Sequence, residues 1–201
     1  MDLNIKPQKT ALIVIDMQAD FYAPNGSTAK RGKSVSQMRE VATKINQFIN
    51  EVGDKVELII FTRYVSGGNI TPRNLQAVAE KEKYNLMCEK GTGLEELSDV
   101  TVPHEAIIID KPHYDAFAYT NLLKLLKEHD IETVLITGVR TEVCVDATAK
   151  RAASEGFNSV IVGNLVATFD DKGQTQKEIL AFFDKYYGYV MDSGTLTKLV
   201  S

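Results

Sequence analysis

Short apolar runs alternate along the chain with longer segments that have helical periodicity. Five of these runs are apolar nearly throughout, which is typical of strands in a parallel sheet covered on both faces. The predicted strands are residues 11–16, 56–62, 105–110, 133–138 and 159–164. Val190 and Met191 are a candidate sixth strand at one edge of the sheet.

Apolar residues recur at steps of three and four between the predicted strands. Residues 37–51 show the one-sided apolar stripe of an amphipathic helix, formed by Met38, Val41, Ala42, Ile45, Phe48 and Ile49. Further helices are predicted at residues 120–129, 142–155 and 174–187, with a short one at 74–83. This alternation predicts one α/β domain over residues 1–201, a three-layer α/β/α sandwich of Rossmann-like type with a mainly parallel sheet of five or six strands.

Two segments lack such periodicity. Residues 20–36 are rich in Gly, Pro, Ser, Asn and Lys, and residues 64–93 contain several glycines. Both follow strands at their carboxyl ends, where parallel α/β sheets bind ligands. We therefore expect these segments to form walls of a substrate pocket or a lid over it.

Composition limits the kinds of partner. The formal net charge of −4 gives no general attraction to nucleic acid or to an anionic membrane, so neither is expected as a partner. No apolar run reaches the roughly 18–20 residues that span a bilayer, and the first ten residues lack the apolar core of a signal peptide. We expect a cytoplasmic protein in which the two cysteines, Cys88 and Cys144, are free thiols.

Three chemically useful residues follow predicted strands. Asp16 ends the first strand, Lys111 follows the third, and Cys144 lies within about the first turn of the helix after the fourth. Because carboxyl ends of parallel strands share one edge of a sheet, we expect these side chains to converge there.

Each of the three residues has a functional and a structural interpretation. A helix N-terminus and a nearby cation lower the pKa of a thiol, which would make Cys144 a nucleophile. Backbone N–H groups at the same place could bind an oxyanion. The structural alternative is that Cys144 is a small buried apolar residue. Asp16 is a functional carboxylate, a helix cap or the partner of a lysine. Lys111 either stabilises a thiolate and polarises a carbonyl or lies on the surface.

Metal and cofactor sites have little support in the sequence. The three histidines, His104, His113 and His129, are scattered and form no HxH or HExxH pattern. The GTG at residues 91–93 lacks the lysine and the spacing of a phosphate loop. We therefore predict no metal and no cofactor, and interpret Cys88, which lies in a long loop, as structural.

Four segments together resemble the isochorismatase-like hydrolases, a superfamily that includes nicotinamidases and N-carbamoylsarcosine amidases. The segments are ALIVIDMQADF, TRYVS, IIIDKPHYDAF and TGVRTEVCVDATAKRAASEGF, in the order and approximate spacing of that family, from residue 11 to about residue 169. The resemblance implies the same α/β fold and a catalytic triad of Asp16, Lys111 and Cys144, in which the aspartate takes the thiol proton and the thiolate attacks an amide carbonyl.

The resemblance also implies details around the nucleophile. A non-proline cis peptide maps onto Val139–Arg140, and the N–H groups of Arg140 and Cys144 are the implied oxyanion donors. Members of the family commonly form dimers or tetramers, so a homodimer or homotetramer is expected. We further predict a substrate pocket that includes Gln18, Phe21, Arg63, His113 and Phe117.

Departures from the family pattern narrow the expected reaction. The segment TRYVSGGNI has no histidine where metal-dependent nicotinamidases carry an Asp and His cluster, which disfavours that activity. Cys144 disfavours isochorismate cleavage, which needs only the acid. We therefore predict a metal-free hydrolase for the C–N bond of a small amide, carbamoyl or ureido compound. The alternatives are a vinyl-ether hydrolase that uses Asp16 as acid, and a non-enzymatic thiol-based binding or redox module.

The side chain of Arg140 adds a cation where relatives often have a small residue. One interpretation is an anionic or strongly polar substrate. A salt bridge to Glu142 or to a neighbouring subunit is at least as well supported by the sequence.

Overall fold

Parallel strands form the central sheet of the structure, a computed structural model that describes residues 3–83 and 85–200. The strands in this part of the chain are β1 (Thr10–Ile15), β2 (Leu58–Tyr64), β3 (Ile107–Lys111), β4 (Thr133–Val139), β5 (Asn158–Ala167) and β6 (Tyr189–Met191). Their spatial order is β3-β2-β1-β4-β5-β6, and every neighbouring pair is parallel. The predicted α/β fold with a parallel sheet is confirmed, and the candidate sixth strand is β6.

Helices connect the strands. They are α1 (Ala19–Tyr22), α2 (Ser27–Lys30), α3 (Ser36–Val52), α4 (Arg73–Glu82), α5 (Leu122–Glu128), α6 (Asp146–Ser154), α7 (Gly173–Tyr186) and α8 (Ser193–Leu199). The predicted helix at residues 142–155 is divided, because a π-helical turn at Thr141–Val145 precedes α6. The predicted loop at residues 20–36 contains most of α1 and all of α2. Within residues 3–83 and 85–200, no helix has the length and apolar character needed to cross a bilayer.

Two apolar cores lie on opposite faces of the sheet. In β1, Leu12 and Val14 pack into the core that α3 and α8 cover. Ile13 and Ile15 face the other core, which α5, α6 and α7 cover. Every residue of β1 is buried, which explains why its sequence is continuously apolar from Ala11 to Ile15 rather than alternating. Burying one such side chain stabilises the fold by about 1.5–3 kcal/mol.

Two strands extend beyond their apolar runs. β2 begins and ends two residues later than the predicted 56–62, because its last residue, Tyr64, pairs with Lys111 of β3. β5 continues past Asn164 to Ala167, which pairs with Val139. The ends of these strands are set by hydrogen-bonded pairing with a neighbouring strand, which the hydrophobic pattern of the sequence does not predict.

The order of the strands places a crevice between β1 and β4. From β1 the chain runs to β2 on one side, and from β4 it runs to β5 on the other, so the direction of winding reverses between them. In such sheets the crevice outside the carboxyl ends at this reversal is the usual ligand site. Asp16 follows β1 directly, and Cys144 follows β4 by five residues, so both flank the crevice.

Candidate active site

Asp16 is a fully buried carboxylate at the carboxyl end of β1. Its φ of 51° lies in the left-handed region, which aspartate tolerates better than most residues. The carboxylate oxygen Oδ1 accepts a hydrogen bond of 2.7 Å from Thr62 Oγ1, and Oδ2 lies 2.8 Å from Lys111 Nζ. The carboxylate is therefore held on both oxygens in one orientation.

Lys111 is the last residue of β3 and is also fully buried. Besides its ion pair with Asp16, its ammonium donates to the backbone oxygens of His113 (2.9 Å) and Tyr114 (3.2 Å). Burial acts to lower the pKa of Lys111, but the negative charge of Asp16 and the interactions of the ammonium with Asp16 and Cys144 together outweigh it, so the pKa is raised above its ordinary value. The side chain is therefore a fixed ammonium at neutral pH.

Cys144 lies in the π-helical turn between β4 and α6, and only 4% of it is exposed. Its thiol is close enough to the side chains of Asp16 and Lys111 to interact with both. Burial and the Asp16 carboxylate raise the pKa of this thiol, and the Lys111 ammonium offsets them only in part. The prediction of a lowered pKa is therefore wrong in direction. The resting group is a neutral thiol, and a base has to remove its proton.

Gly138 allows β4 to approach β1 just before this turn. Its φ is +105°, and a Cβ built on it would lie 2.1 Å from the backbone oxygen of Ile15. Any other residue would therefore push the two strands apart next to Asp16. One residue further on, the peptide bond between Val139 and Arg140 is cis.

A cavity of about 340 Å³ opens onto Cys144. This volume is at the lower end of the range for small-molecule sites, about 300–1,000 Å³. The wall is largely apolar and aromatic, and the described residues that line it are Phe21, Arg31, Tyr64, Val78, Asn85, Leu86, Met87, Tyr114, Arg140, Val143 and Cys144. A wider and more open cleft of about 730 Å³ shares Asn85 and Leu86 with this cavity, but Cys144 does not line it. Reactive chemistry at the thiol therefore belongs to the smaller cavity.

Of the five predicted pocket residues, Phe21 lines the cavity. Gln18 instead joins two chain segments, because its Nε2 donates to the backbone oxygens of Tyr64 (2.8 Å) and Glu95 (2.6 Å). Arg63 points to the edge of the sheet, where its Nε donates to Asp110 at 2.7 Å. Both side chains are committed to structural contacts outside the cavity wall.

His113 and Phe117 also lie outside the cavity wall. The ring of His113 lies 3.4 Å from Asn74 Nδ2, while its backbone oxygen is the group that contacts Lys111. Phe117 stacks on Phe157, with ring centroids 6.3 Å apart, in the core beneath α5, α6 and α7. The sequence after β3 therefore predicted correctly that this segment lies at the site, but the side chains of His113 and Phe117 do not line the cavity.

Arg140 is occupied by contacts within its own chain. Its Nε donates to Glu142 at 3.0 Å, a second short contact joins Nη2 to the same carboxylate oxygen, and its guanidinium lies 4.1 Å from the ring centroid of Phe169. Of the alternatives for this side chain, the structure shows the salt bridge to Glu142. The charge of Arg140 at the cavity wall is thereby neutralised.

The two irregular segments meet above the cavity. Asp20, which is buried, accepts hydrogen bonds from the backbone N–H groups of Ser27 and Cys88, both at 2.6 Å. Arg31 reaches across to the backbone oxygen of Asn85 at 2.7 Å. Cys88 is buried, and burial raises the pKa of its thiol well above the ordinary value. The roof of the cavity is therefore built from both segments, as predicted for pocket walls.

Sequence reasoning did not single out Thr62, Tyr64 or Tyr114. Thr62 was the last residue of the predicted second strand, so its place at the carboxyl end was a signal that it lies near Asp16. Tyr64 and Tyr114 pack together at 5.8 Å between ring centroids and form one wall of the cavity. Their alignment depends on the register of β2 with β3, which hydrophobic patterning leaves open.

A parallel α/β sheet that holds a cysteine against a buried acid–ammonium pair, beside a small cavity, is the arrangement of a cysteine hydrolase. The model of the Isochorismatase domain matches residues 10–195, and the chain belongs to the isochorismatase family, which is hydrolytic.

Solved structures of the family share the fold over nearly the whole chain. A cysteine hydrolase from Pseudomonas syringae pv. phaseolicola has a TM-score of 0.85 at 20% identity, covering 99% of this chain and 95% of that one. A pyrazinamidase of Pyrococcus horikoshii, in complex with zinc, has a TM-score of 0.75 at 28% identity, covering 92% and 99%. A pyrazinamidase/nicotinamidase from Streptococcus mutans has a TM-score of 0.76 at 25% identity, covering 90% and 99%.

The zinc of the Pyrococcus protein raises the question of whether this chain could hold a metal. Residues 65–70, which follow β2, include no histidine and no carboxylate. Within residues 3–83 and 85–200, no group of three or more His, Cys, Asp or Glu side chains is placed to hold a metal ion. The residues present do not fit a metal centre, and no step of the chemistry below passes through one.

Proposed function

We propose that the protein is a cysteine-dependent amidohydrolase that cleaves the C–N bond of a small carboxamide, carbamoyl or ureido compound through an acyl-enzyme. The observation that carries this proposal is the contact of the Cys144 thiol with the Asp16–Lys111 ion pair at the wall of the cavity. A nucleophile, a base and a fixed positive charge within contact of one another are the components of covalent acyl transfer.

In the first half of the reaction Asp16 takes the proton from the Cys144 sulfur, and the thiolate attacks the carbonyl carbon of the substrate. A C–S bond forms, and the carbonyl oxygen becomes an oxyanion. Asp16 then returns the proton to the substrate nitrogen, the C–N bond breaks, and ammonia or an amine leaves. The raised pKa of Cys144 gives Asp16 this role, because a thiol that is neutral at rest needs a base in contact with it.

In the second half a water molecule attacks the thioester, and Asp16 takes its proton. The C–S bond breaks, the acid product leaves, and the proton returns to the sulfur, which restores the resting site. Lys111 remains charged throughout, since its ammonium is fixed by Asp16 and by two backbone oxygens, and it stabilises the negative charge that moves between thiolate and carboxylate.

The N–H groups of Arg140 and Cys144 are the proposed donors to the oxyanion. What supports this role is their position at the carboxyl end of β4, because Arg140 is the N-cap of the π-helical turn and Cys144 lies within that turn. Removing one such donor typically costs about 10²–10³ in kcat. The side chain of Arg140, which is paired with Glu142, is not needed for it.

The test is release of ammonia from a set of small amides, carbamoyl acids and ureas. Cys144→Ala is expected to abolish release while far-UV circular dichroism and melting temperature stay close to wild type; full activity of that variant would sink the proposal. Turnover of a vinyl ether that needs Asp16 but survives alkylation of Cys144 would favour the vinyl-ether reaction instead. A cysteine that oxidises reversibly, without any turnover, would favour the redox module.

Self-association is a second part of the proposal. Phe182, Tyr186 and Tyr187 form an exposed aromatic cluster on and after α7, with Phe182 and Tyr186 centroids 4.8 Å apart. Exposed aromatic residues in one patch are typical of subunit interfaces. Light scattering after gel filtration is expected to give a dimer or tetramer, and a monomer at high protein concentration would contradict this part.

A further inference from the structure

The cavity wall carries a positive charge, that of Arg31, which no carboxylate of the described residues neutralises. Among the described residues that line it, those with a formal charge are Arg31 and Arg140. Arg140 is paired with Glu142, whereas Arg31 is bound to the neutral backbone oxygen of Asn85. No carboxylate within residues 3–83 and 85–200 forms an ion pair with Arg31. The wall is therefore net positive, on a chain whose formal net charge is −4.

Arg31 is also held in place at the cavity. It follows α2 directly, and its Nη2 is fixed at 2.7 Å from Asn85 on the opposite loop. A guanidinium has five N–H donors, so this single bond leaves donors free for a ligand. Arg31 is exposed, Cys144 is buried, and both line the cavity, so its wall includes a solvent-exposed guanidinium as well as the buried thiol.

The rest of the cavity wall is largely apolar and aromatic. Tyr64, Tyr114 and Phe21 supply rings, and Val143 and Met87 supply aliphatic surface. Such a wall suits a flat or apolar body. Its neutral polar side chains are the two tyrosines and Asn85, and among the described lining residues Arg31 supplies the positive charge that is not paired with a carboxylate, so it is the best match for an anionic group distant from the reacting amide.

We propose, on the basis of the amidohydrolase function above, that the substrate carries an anionic group of carboxylate type at the end remote from its amide, and that Arg31 binds this group at the solvent-exposed part of the cavity wall. The substrate class is thus a small amide or carbamoyl acid with a short apolar or aromatic body. Arg31 acts in binding and takes no part in the covalent steps, so it determines specificity.

A matched pair of compounds tests this proposal without relying on turnover. We would use 3-carbamoylbenzoate and its methyl ester, which have the same primary amide and ring and differ in the charge, and measure their binding to the Cys144→Ala protein by titration calorimetry. The acid is expected to bind about tenfold more tightly than the ester, the lower end for hydrogen bonds to charged groups. Raising the salt concentration to about 0.5 M is expected to weaken binding of the acid and to leave the ester unchanged.

Two further substitutions assign the effect to Arg31. Arg31→Met is expected to remove the preference for the acid, and Arg31→Lys to retain part of it. Lys30→Met is the matched control, because Lys30 is an exposed neighbouring cation that does not line the cavity. Equal binding of acid and ester, no binding of the acid, or a preference that survives Arg31→Met would overturn the proposal.

Ammonia release by the wild-type protein separates this proposal from the proposed function. If the acid binds through Arg31 but no amide, neutral or anionic, is ever hydrolysed, the hydrolase proposal fails and the anion site stands. If neutral amides are hydrolysed and acids gain neither affinity nor a lower KM, the anion site fails and the hydrolase proposal stands.

Discussion

Replacement of Lys111 by Met tests the buried ion pair on which the site is built. The ammonium lies 2.8 Å from Asp16 Oδ2, 2.9 Å from His113 O and 3.2 Å from Tyr114 O, and neither charged side chain is exposed. Lys111→Met leaves a buried carboxylate whose remaining contacts, the hydroxyl of Thr62 and the thiol of Cys144, carry no positive charge, together with two backbone oxygens that lose a donor. Breaking a buried pair in this way costs about 3–5 kcal/mol of unfolding free energy.

A double-mutant cycle isolates the pair. Asp16→Asn removes the negative charge at similar volume, and we expect it also to destabilise the protein, because the ammonium loses its counter-charge. The combined variant Lys111→Met/Asp16→Asn buries no unpaired charge, so its loss is expected to be smaller than the sum of the single losses by about 1–3 kcal/mol. Urea denaturation followed by circular dichroism at neutral pH measures all four free energies. Single losses below about 1 kcal/mol, or additive losses, would refute this reasoning.

Alkaline pH provides a second readout of the same pair. The folded-state pKa of Lys111 is raised above its ordinary value of 10.5, so the stability from its charge is fully present below 10.5 and is lost as the pH rises through the folded pKa. The difference in unfolding free energy between wild type and Lys111→Met is therefore expected to be constant across neutral pH and to decrease only in strong alkali. A difference that already decreases near neutral pH would contradict the assignment.

Two further substitutions address positioning and stability. Thr62→Val removes the hydrogen-bond donor to Asp16 Oδ1, so steady-state kinetics are expected to show a kcat about 10–100-fold lower with little change in KM. Thr62→Ser, which keeps the hydroxyl, is expected to recover kcat. An effect confined to KM would contradict this role. Asp170→Ala removes hydrogen bonds to the backbone N–H groups of Ser36 and Gln37 at the start of α3 and is expected to cost about 1 kcal/mol in urea denaturation. Ser34 and Ser36 lower the pKa of Asp170 to about 2, so this loss should disappear as the pH falls from 3.8 through 2, and a loss unaffected by pH would contradict the assignment.

The sequence predicted the fold and the positions of the three central residues for the same physical reason. In a parallel sheet the central strands are buried on both faces, so their sequences are apolar nearly throughout; the edge strand β3 is only partly buried but is also an apolar run. A polar residue at the end of such a run marks the carboxyl edge. Asp16 and Lys111 are recognisable in this way, and Cys144 follows another strand. The structure brings all three into contact.

What the sequence could not predict depends on the direction of side chains and on burial. Arg63 and His113 follow the strands as a pocket residue would, but their side chains turn to Asp110 and Asn74. The pKa of Cys144 depends on how completely the thiol is buried beside a carboxylate, which overrides the favourable effects of a nearby cation and a helix start. Such quantities are set by the packing of segments that are distant in the chain.

The most direct test of the central claim is the mass of the intact protein, trapped by acid quench during turnover of an amide that releases ammonia. If Cys144 is the nucleophile, the wild-type protein gains the mass of the substrate less ammonia, peptide mapping places the added acyl group on Cys144, and Cys144→Ala gains nothing. An acyl group on another residue, or ammonia release at the wild-type rate by Cys144→Ala, would contradict the account.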